Sequence, residues 1–232
     1  MQKLILLAAA LLAAPADAAT RSYIVTDYDS IRLEAPFDVT VQTRRSASAR
    51  GEGDAETLSR VELSVSSRIL VIRLRAPMFE ARRDKSSGPV RLSLGAPSLR
   101  RIHVTGAGSL RADGVDRLKA EILVSGSGAL AVSGIDSDQL DLVQNGAGAV
   151  TLAGKAKTVG LQLVGSGTVD AKALTTSDLS LVVEGTGSVQ TIAERSAKIV
   201  VSGAGSAAVS GKAACIVTHS GGGAVTCGGR SY

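Results

Sequence analysis

The sequence predicts an all-β fold: a right-handed single-stranded parallel β-helix (solenoid) with an irregular, strand-rich N-terminal cap. A Gly-x-Gly pair recurs seven times between Gly106 and Gly223, at steps of 18 to 20 residues. A fixed period of this length is typical of repeat proteins, in which each unit buries its apolar face against its neighbours. Between the pairs, apolar and polar residues alternate with a period of two, which indicates β-strands. Coils this short leave no room for helices.

The first element is a signal peptide at residues 1–18. Lys3 is followed by an apolar run at residues 4–14 and by the small-x-small triplet Ala16-Asp17-Ala18. This order is typical of a secretory leader that is too short to span a membrane. No run of 18 apolar residues follows, so we predict no transmembrane segment in the mature chain. The expected location is the periplasm, the cell surface or the medium.

Residues 19–99 form the second predicted part, a strand-rich N-terminal region without the glycine period. Strands are predicted at residues 30–33, 38–42, 61–65, 69–74 and 90–94. Residues 50–54 and 86–89 carry glycine or proline and predict turns or loops. This region holds four of the five aromatic residues of the mature chain. We expect it to cover the open end of the solenoid, where an exposed strand edge would invite aggregation.

Residues 100–232 form the β-helical repeats. The position four residues before each first glycine is β-branched or leucine in every coil: Ile102, Ile122, Leu142, Leu161, Leu181, Ile199 and Val217. Stacked coils about 4.8 Å apart would place these side chains in one buried ladder. The position two residues before the glycine is apolar except at Gln144 and His219. The glycines themselves predict a place where the wall turns or two walls approach closely.

The chain resembles the bacterial head GIN domain family, which is described as putative auto-transporter adhesins. The resemblance covers essentially the whole mature chain and implies a β-helical domain in the periplasm or at the surface of a Gram-negative bacterium, with no established activity. It rests on the segments at residues 28–31, 35–41, 67–72 and 96–108, followed by the glycine repeats.

Charge and composition argue against several classes of ligand. The net charge is +5, with basic clusters at Arg44-Arg45, residues 82–85 and Arg100-Arg101. Because no aromatic residues interleave with these clusters, we predict no nucleic-acid partner; weak attraction to anionic glycans or lipid surfaces stays open. A phosphate-binding Gly-x-Gly occurs once, between a strand and a helix, whereas these pairs have strands on both sides. No cofactor is predicted.

A β-helix carbohydrate-active enzyme, of the polysaccharide lyase or glycosidase type, is the alternative function. Such chemistry needs paired or metal-held carboxylates and platforms on which sugars pack. The candidate acids are Asp136, Asp138 and Asp141, with Asp113 and Asp116 a coil away. The repeats contain no aromatic residue before Tyr232, and these acids also suit turns and solvated faces. We therefore favour a protein that is not an enzyme.

The last coil contains both cysteines. Cys215 and Cys227 lie at inward positions on either side of the last Gly-x-Gly pair, and an exported protein meets oxidising conditions. We predict that they form a disulfide between facing walls. His219 is four residues from Cys215, about 13 Å along a strand, which is too far for shared zinc coordination. No metal site is predicted.

Small residues flank every glycine pair at outward positions, and we call this set the small-residue strip. Stacked coils would turn it into a flat surface, which a tight wall could simply tolerate or which could dock a flat partner. We therefore predict an exported structural or binding module of the cell envelope, with an unknown partner: another copy, an envelope or surface glycan, or a protein. The polar members of the strip are Thr105, Ser109, Ser125, Ser127, Asn145, Ser166, Thr168, Thr186, Ser188, Ser202 and Ser206.

Overall fold

The computed structural model describes residues 19–76 and 89–232 and forms the predicted parallel β-helix. The predicted signal peptide and the basic cluster at residues 82–85 lie outside the described residues. One short helix is present, α1 (Ala55–Arg60), and no helix in the described ranges is long and apolar enough to cross a membrane. The strands are β1 (Ala19–Tyr23), β2 (Ser30–Leu33), β3 (Asp38–Thr43), β4 (Ser48–Gly53), β5 (Val61–Ser66), β6 (Ile69–Leu74), β7 (Arg91–Ala96), β8 (Arg101–Gly106), β9 (Ser109–Ala112), β10 (Lys119–Gly126), β11 (Ala129–Gly146), β12 (Ala149–Gly165), β13 (Thr168–Gly185), β14 (Ser188–Gly203), β15 (Ser206–Ser210), β16 (Ala214–Ser220), β17 (Val225–Cys227) and β18 (Arg230–Ser231).

The coils of the repeat region stack in parallel and in register. Ile122 of β10 lies beside Ile102 of β8 and Leu142 of β11, and the same column continues to Val217 of β16. All of these side chains are buried except Val217, which is half-buried in the last coil. The predicted aliphatic ladder is therefore confirmed. Burial of each such side chain stabilises the fold by about 1.5–3 kcal/mol.

The long strands β11 to β14 turn corners without ending. The register shifts between Val132 and Ile135, where Gly134 has a φ of 63°, and again near Gly154, where φ is 135°. These values lie in the region that favours glycine. Ser133-Gly134 and Ala153-Gly154 therefore form bends within continuous strands.

The N-terminal region adds coils to the stack out of chain order. Strand β2 pairs in parallel with both β6 and β8, and β3 pairs in parallel with both β7 and β9. The coil made by β2 and β3 therefore lies between two coils that come later in the chain. Ile31 and Leu70 continue the aliphatic ladder below Ile102. All five strands predicted in this region are present, two with the predicted bounds and three with bounds that differ by one or two residues.

Antiparallel strands line the outer edge of this region. Strand β5 pairs with β6, while β4 pairs with β7 and β1 with β4. The turn predicted at residues 50–54 is wrong, because residues 48–53 form β4. Gly51 leaves room for α1, because an added Cβ would lie 2.9 Å from Leu58 Cδ2. Asp54 begins the helix, and its carboxylate accepts a 2.8 Å hydrogen bond from the Thr57 amide.

Candidate functional site

The Gly-x-Gly corners are built by close stacking of backbone on backbone. Gly126, Gly146 and Gly185 have φ values of 111°, 114° and 113°. A Cβ on Gly146 would lie 2.6 Å from the carbonyl oxygen of Gly126 in the coil below, closer than real Cβ contacts allow. Both the backbone conformation and the available space therefore require glycine in this column.

The backbone groups of these corners are paired from coil to coil. Ser127 N donates to Gly106 O at 3.0 Å, and Ala147 N donates to Gly126 O at 3.0 Å. The second glycine makes the same kind of bond, since Ala149 N donates to Gly128 O at 3.1 Å. Because these amides and carbonyls bond to each other, the short side chains are the groups that the corners offer to a partner.

The small-residue strip lies on the outside of these corners. All of the polar members predicted from the sequence are exposed or half-buried. Two residues break its uniformity: Glu184 adds an exposed charge, and Val164 adds a half-buried aliphatic side chain. Each hydroxyl can donate and accept a hydrogen bond. The uncharged side chains of the strip can therefore form hydrogen bonds to a flat, regular partner.

The candidate catalytic acids bind cations or amides of their own and neighbouring coils. Asp113 accepts hydrogen bonds from the amide and the hydroxyl of Thr43. Burial raises the pKa of Asp113, but these hydrogen bonds and the positive charge of Arg44 lower it by more, so the net shift of the pKa is downward. Asp116 accepts a 3.0 Å bond from the Leu118 amide. The ion pairs are Arg117–Asp136 (3.4 Å), Lys157–Asp138 (2.6 Å) and Lys119–Asp141 (3.6 Å).

An open groove of about 660 Å³ runs across the corner that carries Asp136 and Asp138. Lys155, Lys157 and Glu194 also line it, so carboxylates and ammonium groups alternate along its length. In the described ranges, no group of three or more His, Cys, Asp or Glu residues could hold a metal ion. The groove therefore offers mixed, solvent-exposed charges at this corner.

The last coil contains the predicted disulfide, which is confirmed. Cys215 and Cys227 are bonded, with their Cα atoms 6.3 Å apart, and link β16 to β17. Their sulfur atoms are therefore not thiolates that could bind zinc together with His219. His219 is half-buried at the mouth of the coil, and its Nε2 has no hydrogen-bond partner among the described residues.

A second groove, which the sequence did not predict, lies near the N-terminal edge. It has a volume of about 760 Å³ and is lined by Arg45, Arg50 and hydroxyls that include those of Thr40, Ser48 and Ser93. Strands β1, β4, β7 and β3 lie side by side there. Sequence reasoning missed this groove because β1 and β4 carry no strand pattern that separates them from loops.

Comparison with known proteins identifies similar folds. The family model described as "Putative auto-transporter adhesin, head GIN domain" matches residues 27–213. A solved "putative adhesin" from Bacteroides fragilis is 19% identical with a TM-score of 0.83, over 91% of this chain and 97% of that one. No curated protein matches the chain significantly.

Two solved structures from Parabacteroides distasonis are also similar. One, named a "putative lipid binding protein", is 16% identical with a TM-score of 0.70, over 90% of this chain and 96% of that chain. The other, a "putative adhesin", is 20% identical with a TM-score of 0.66, over 90% of this chain and 96% of that chain. At these identities the likeness shows a shared fold.

Proposed function

The chain belongs to the head GIN domain family, and from this premise we propose that it is an exported, non-enzymatic, adhesin-like binding module of the bacterial cell envelope. The family description and the solved relatives named as adhesins support the adhesin-like part of the proposal. The leader pattern at residues 1–18 supports export.

The small-residue strip is the observation that carries the binding role. It is the outward feature that every coil of the repeat region reproduces, and its polar members are exposed or half-buried. A flat row of hydroxyls and methyl groups suits a partner that is itself flat and repetitive, such as a polysaccharide or another regular surface. Partner contacts would be many and weak, as in a polar interface without a deep pocket.

Ion pairing of the candidate acids supports a role without catalysis. A glycosidase needs one carboxylate free to give a proton and a second free to attack or to activate water. Asp136 and Asp138 instead lie beside Arg117 and Lys157 on exposed surface. Each of these two carboxylates therefore has a cation as its partner, and neither stands beside a second free carboxylate as the pair in a glycosidase does.

Arginine substitutions in the strip test the binding role. Ser127→Arg with Ser166→Arg places two long charged side chains on the flat surface while leaving the inward ladder intact. We expect binding to intact Gram-negative cells and to immobilised neutral and anionic polysaccharides to be lost, with unchanged circular dichroism. Ser133→Arg with Ser180→Arg, two exposed positions outside the strip, is the matched control.

The alternative enzyme is tested in the same series. Alanine at Asp136, Asp138 and Asp141 should leave binding unchanged, and the wild-type chain should not cleave uronate polymers. Cleavage that disappears in the alanine triple variant, together with full binding by the arginine pair, would replace the proposal with the enzyme.

Export is tested by the mature N-terminus. Mass spectrometry of periplasmic or secreted protein should find Ala19 first, because cleavage after Ala18 fits the small-x-small rule. Protease treatment of intact cells then distinguishes a surface location from a periplasmic one. Cytoplasmic protein that keeps Met1 would contradict export.

A further inference from the structure

Strand β16 has one paired and one open edge. It pairs with β14 from Ala214 to Ser220, and the residue registers within 19–76 and 89–232 give it no second partner strand. In the opposite wall of the same coil, β18 returns antiparallel to β17. Among the described residues, this end of the β-helix therefore has a capping strand in one wall and an unpaired strand edge in the other.

The backbone groups that face this open edge can be assigned from the coils below. Glu121, five residues before its glycine, donates its amide to Arg100 O of the preceding coil at 2.8 Å. Ile216 occupies the same position in β16 and bonds back to β14 in this pattern. Because alternate residues of a parallel strand point their backbone groups in opposite directions, Cys215, Val217 and His219 present N–H and C=O to the open edge.

The side chains at this edge are also incompletely covered. Val217 and His219 face inward but are only half-buried, and the buried Nε2 of His219 has no hydrogen-bond partner among the described residues. On the outer face, Ile216 is 68% exposed, and of the large hydrophobic side chains in the described ranges only Ile24 and Leu118 are more exposed. A further strand laid along β16 would cover all three.

Strand β16 also lacks the features that keep sheet edges apart. Natural edge strands are protected by charged side chains, proline or bulges. Among the other outer strands, β1 carries Arg21, β5 carries Glu62 and β18 carries Arg230. The sequence of β16, ACIVTHS, has no Lys, Arg, Asp, Glu or proline. The β16 strands of two copies therefore bring no like charges of their own together.

We propose that β16 is the dimerisation edge of this protein and that its partner is β16 of a second copy, antiparallel about a two-fold axis at Val217. In this register Val217 exchanges both backbone hydrogen bonds with Val217 of the second copy, and Cys215 does so with His219. Ile216 then lies directly opposite Thr218 on the outer face. Such a contact is self-complementary, as two-fold interfaces require. It closes after two copies and leaves the small-residue strip free.

A proline substitution tests the hydrogen bonds of this edge. Val217→Pro removes an N–H that faces the open edge but keeps the bonds to β14, and proline is tolerated on such edges. We expect the wild-type chain to show a concentration-dependent dimer by light scattering after size exclusion. The proline variant should be monomeric, and Val217→Ala, which keeps the N–H, should still dimerise.

Cysteine pairing tests the register and does not depend on the proline variant folding. Opposed residues that are not hydrogen-bonded to each other have Cα atoms about 4.5 Å apart, within the range of a disulfide. An oxidised mixture of Ile216→Cys and Thr218→Cys chains should cross-link 216 to 218 between copies, mapped by mass spectrometry. Each variant alone should cross-link far less.

Three results would overturn the proposal. The first is a wild-type chain that stays monomeric at every concentration. The second is a dimer that survives Val217→Pro, which would place the contact elsewhere. The third is a dimer without 216–218 cross-links. The variant Ser127→Arg with Ser166→Arg tests a different proposal. If it loses partner binding but still dimerises, the result bears on the binding role of the small-residue strip and not on the β16 dimer.

Discussion

Two neighbouring residues, Tyr28 and Asp29, tie the N-terminal coils together. The Tyr28 hydroxyl, fully buried, donates to Gly95 O of β7 at 2.7 Å. Asp29 N donates to Arg68 O at 3.0 Å, and Arg100 N donates to Asp29 O at 2.7 Å. These two residues therefore join the β2–β3 coil to both ends of the β6–β7 coil and to the start of the β8–β9 coil. They also begin the first segment on which the family resemblance rests.

Removing the Tyr28 hydroxyl should destabilise the protein. Tyr28→Phe leaves a buried carbonyl without this donor, at a cost of about 1–3 kcal/mol. Urea denaturation followed by circular dichroism measures the change. Tyr232→Phe, at a half-exposed position, is the control and should change the free energy of unfolding little. Equal stability of the two variants would contradict the role given to Tyr28.

A charge in the aliphatic ladder should be far more damaging than a change on the outside. Leu161 is 2% exposed in a central coil, so Leu161→Asp buries an unpaired carboxylate. The expected cost is more than about 4 kcal/mol, enough to unfold the central coils. Ser127→Ala on the strip should be nearly silent. Similar thermal melts of the two variants would mean that inward and outward faces had been exchanged.

The glycine column is the element that sets how closely coils can stack. Gly146→Ala introduces a Cβ 2.6 Å from the Gly126 carbonyl at a φ of 114°. We expect a loss of at least about 2 kcal/mol, from backbone strain together with separation of the two coils. Gly222→Ala is a matched control, because nothing lies within 4 Å of the added Cβ. Chemical denaturation of both variants tests the difference.

The disulfide should stabilise the terminal coil in particular. Cys215 and Cys227 are 12 residues apart, and on the chain-entropy model a loop of this size contributes up to about 3 kcal/mol. The double variant Cys215→Ala with Cys227→Ala should show faster amide exchange in β16 and β17 than in β12. Uniform exchange through all coils, or free thiols in the denatured, unreduced wild-type protein, would contradict this prediction.

At the scale of the whole molecule, ionised carboxylates hold several coils together and make stability depend on acid pH. Burial raises the pKa of Asp29, but hydrogen bonds from Arg68 and Ser30 and the charges of Arg68 and Arg100 outweigh it, so the pKa is lowered. The hydrogen bond from Arg73 lowers the pKa of Glu34. A lowered folded-state pKa stabilises the protein above the unfolded value of about 4.

Stability should therefore be constant near neutral pH and fall as the pH drops below about 4, through the folded-state pKa values. Denaturation at a series of pH values measures this slope. Asp29→Asn should make the slope shallower, because the variant has no carboxylate to protonate at this position. A slope unchanged by Asp29→Asn would show that Asp29 contributes nothing to it.

The repeat region could be predicted from sequence because each coil repeats the same physical requirement. Ile122, Leu142 and Leu161 occupy one column, so their spacing alone indicates the stacking. The N-terminal region has no such repetition: nothing in residues 30–43 shows that this coil lies between two later ones. Gly51 and Gly53 suggested a turn, but they lie in β4, which pairs with β1 and β7. They are glycines because α1 and residues 89–90 leave no room for a side chain. Helix α1, six residues long, is too short to show a helical period.

The place of β2 and β3 between later coils has a consequence for how the chain assembles as it is made. Both of their neighbours, β6–β7 and β8–β9, are synthesised afterwards, so the first coil cannot complete its pairing until residue 112 has emerged. Every coil from β10 onward instead meets a finished predecessor. We expect nascent chains shorter than about 112 residues to be sensitive to protease, whereas longer ones gain protection one coil at a time towards the C-terminus.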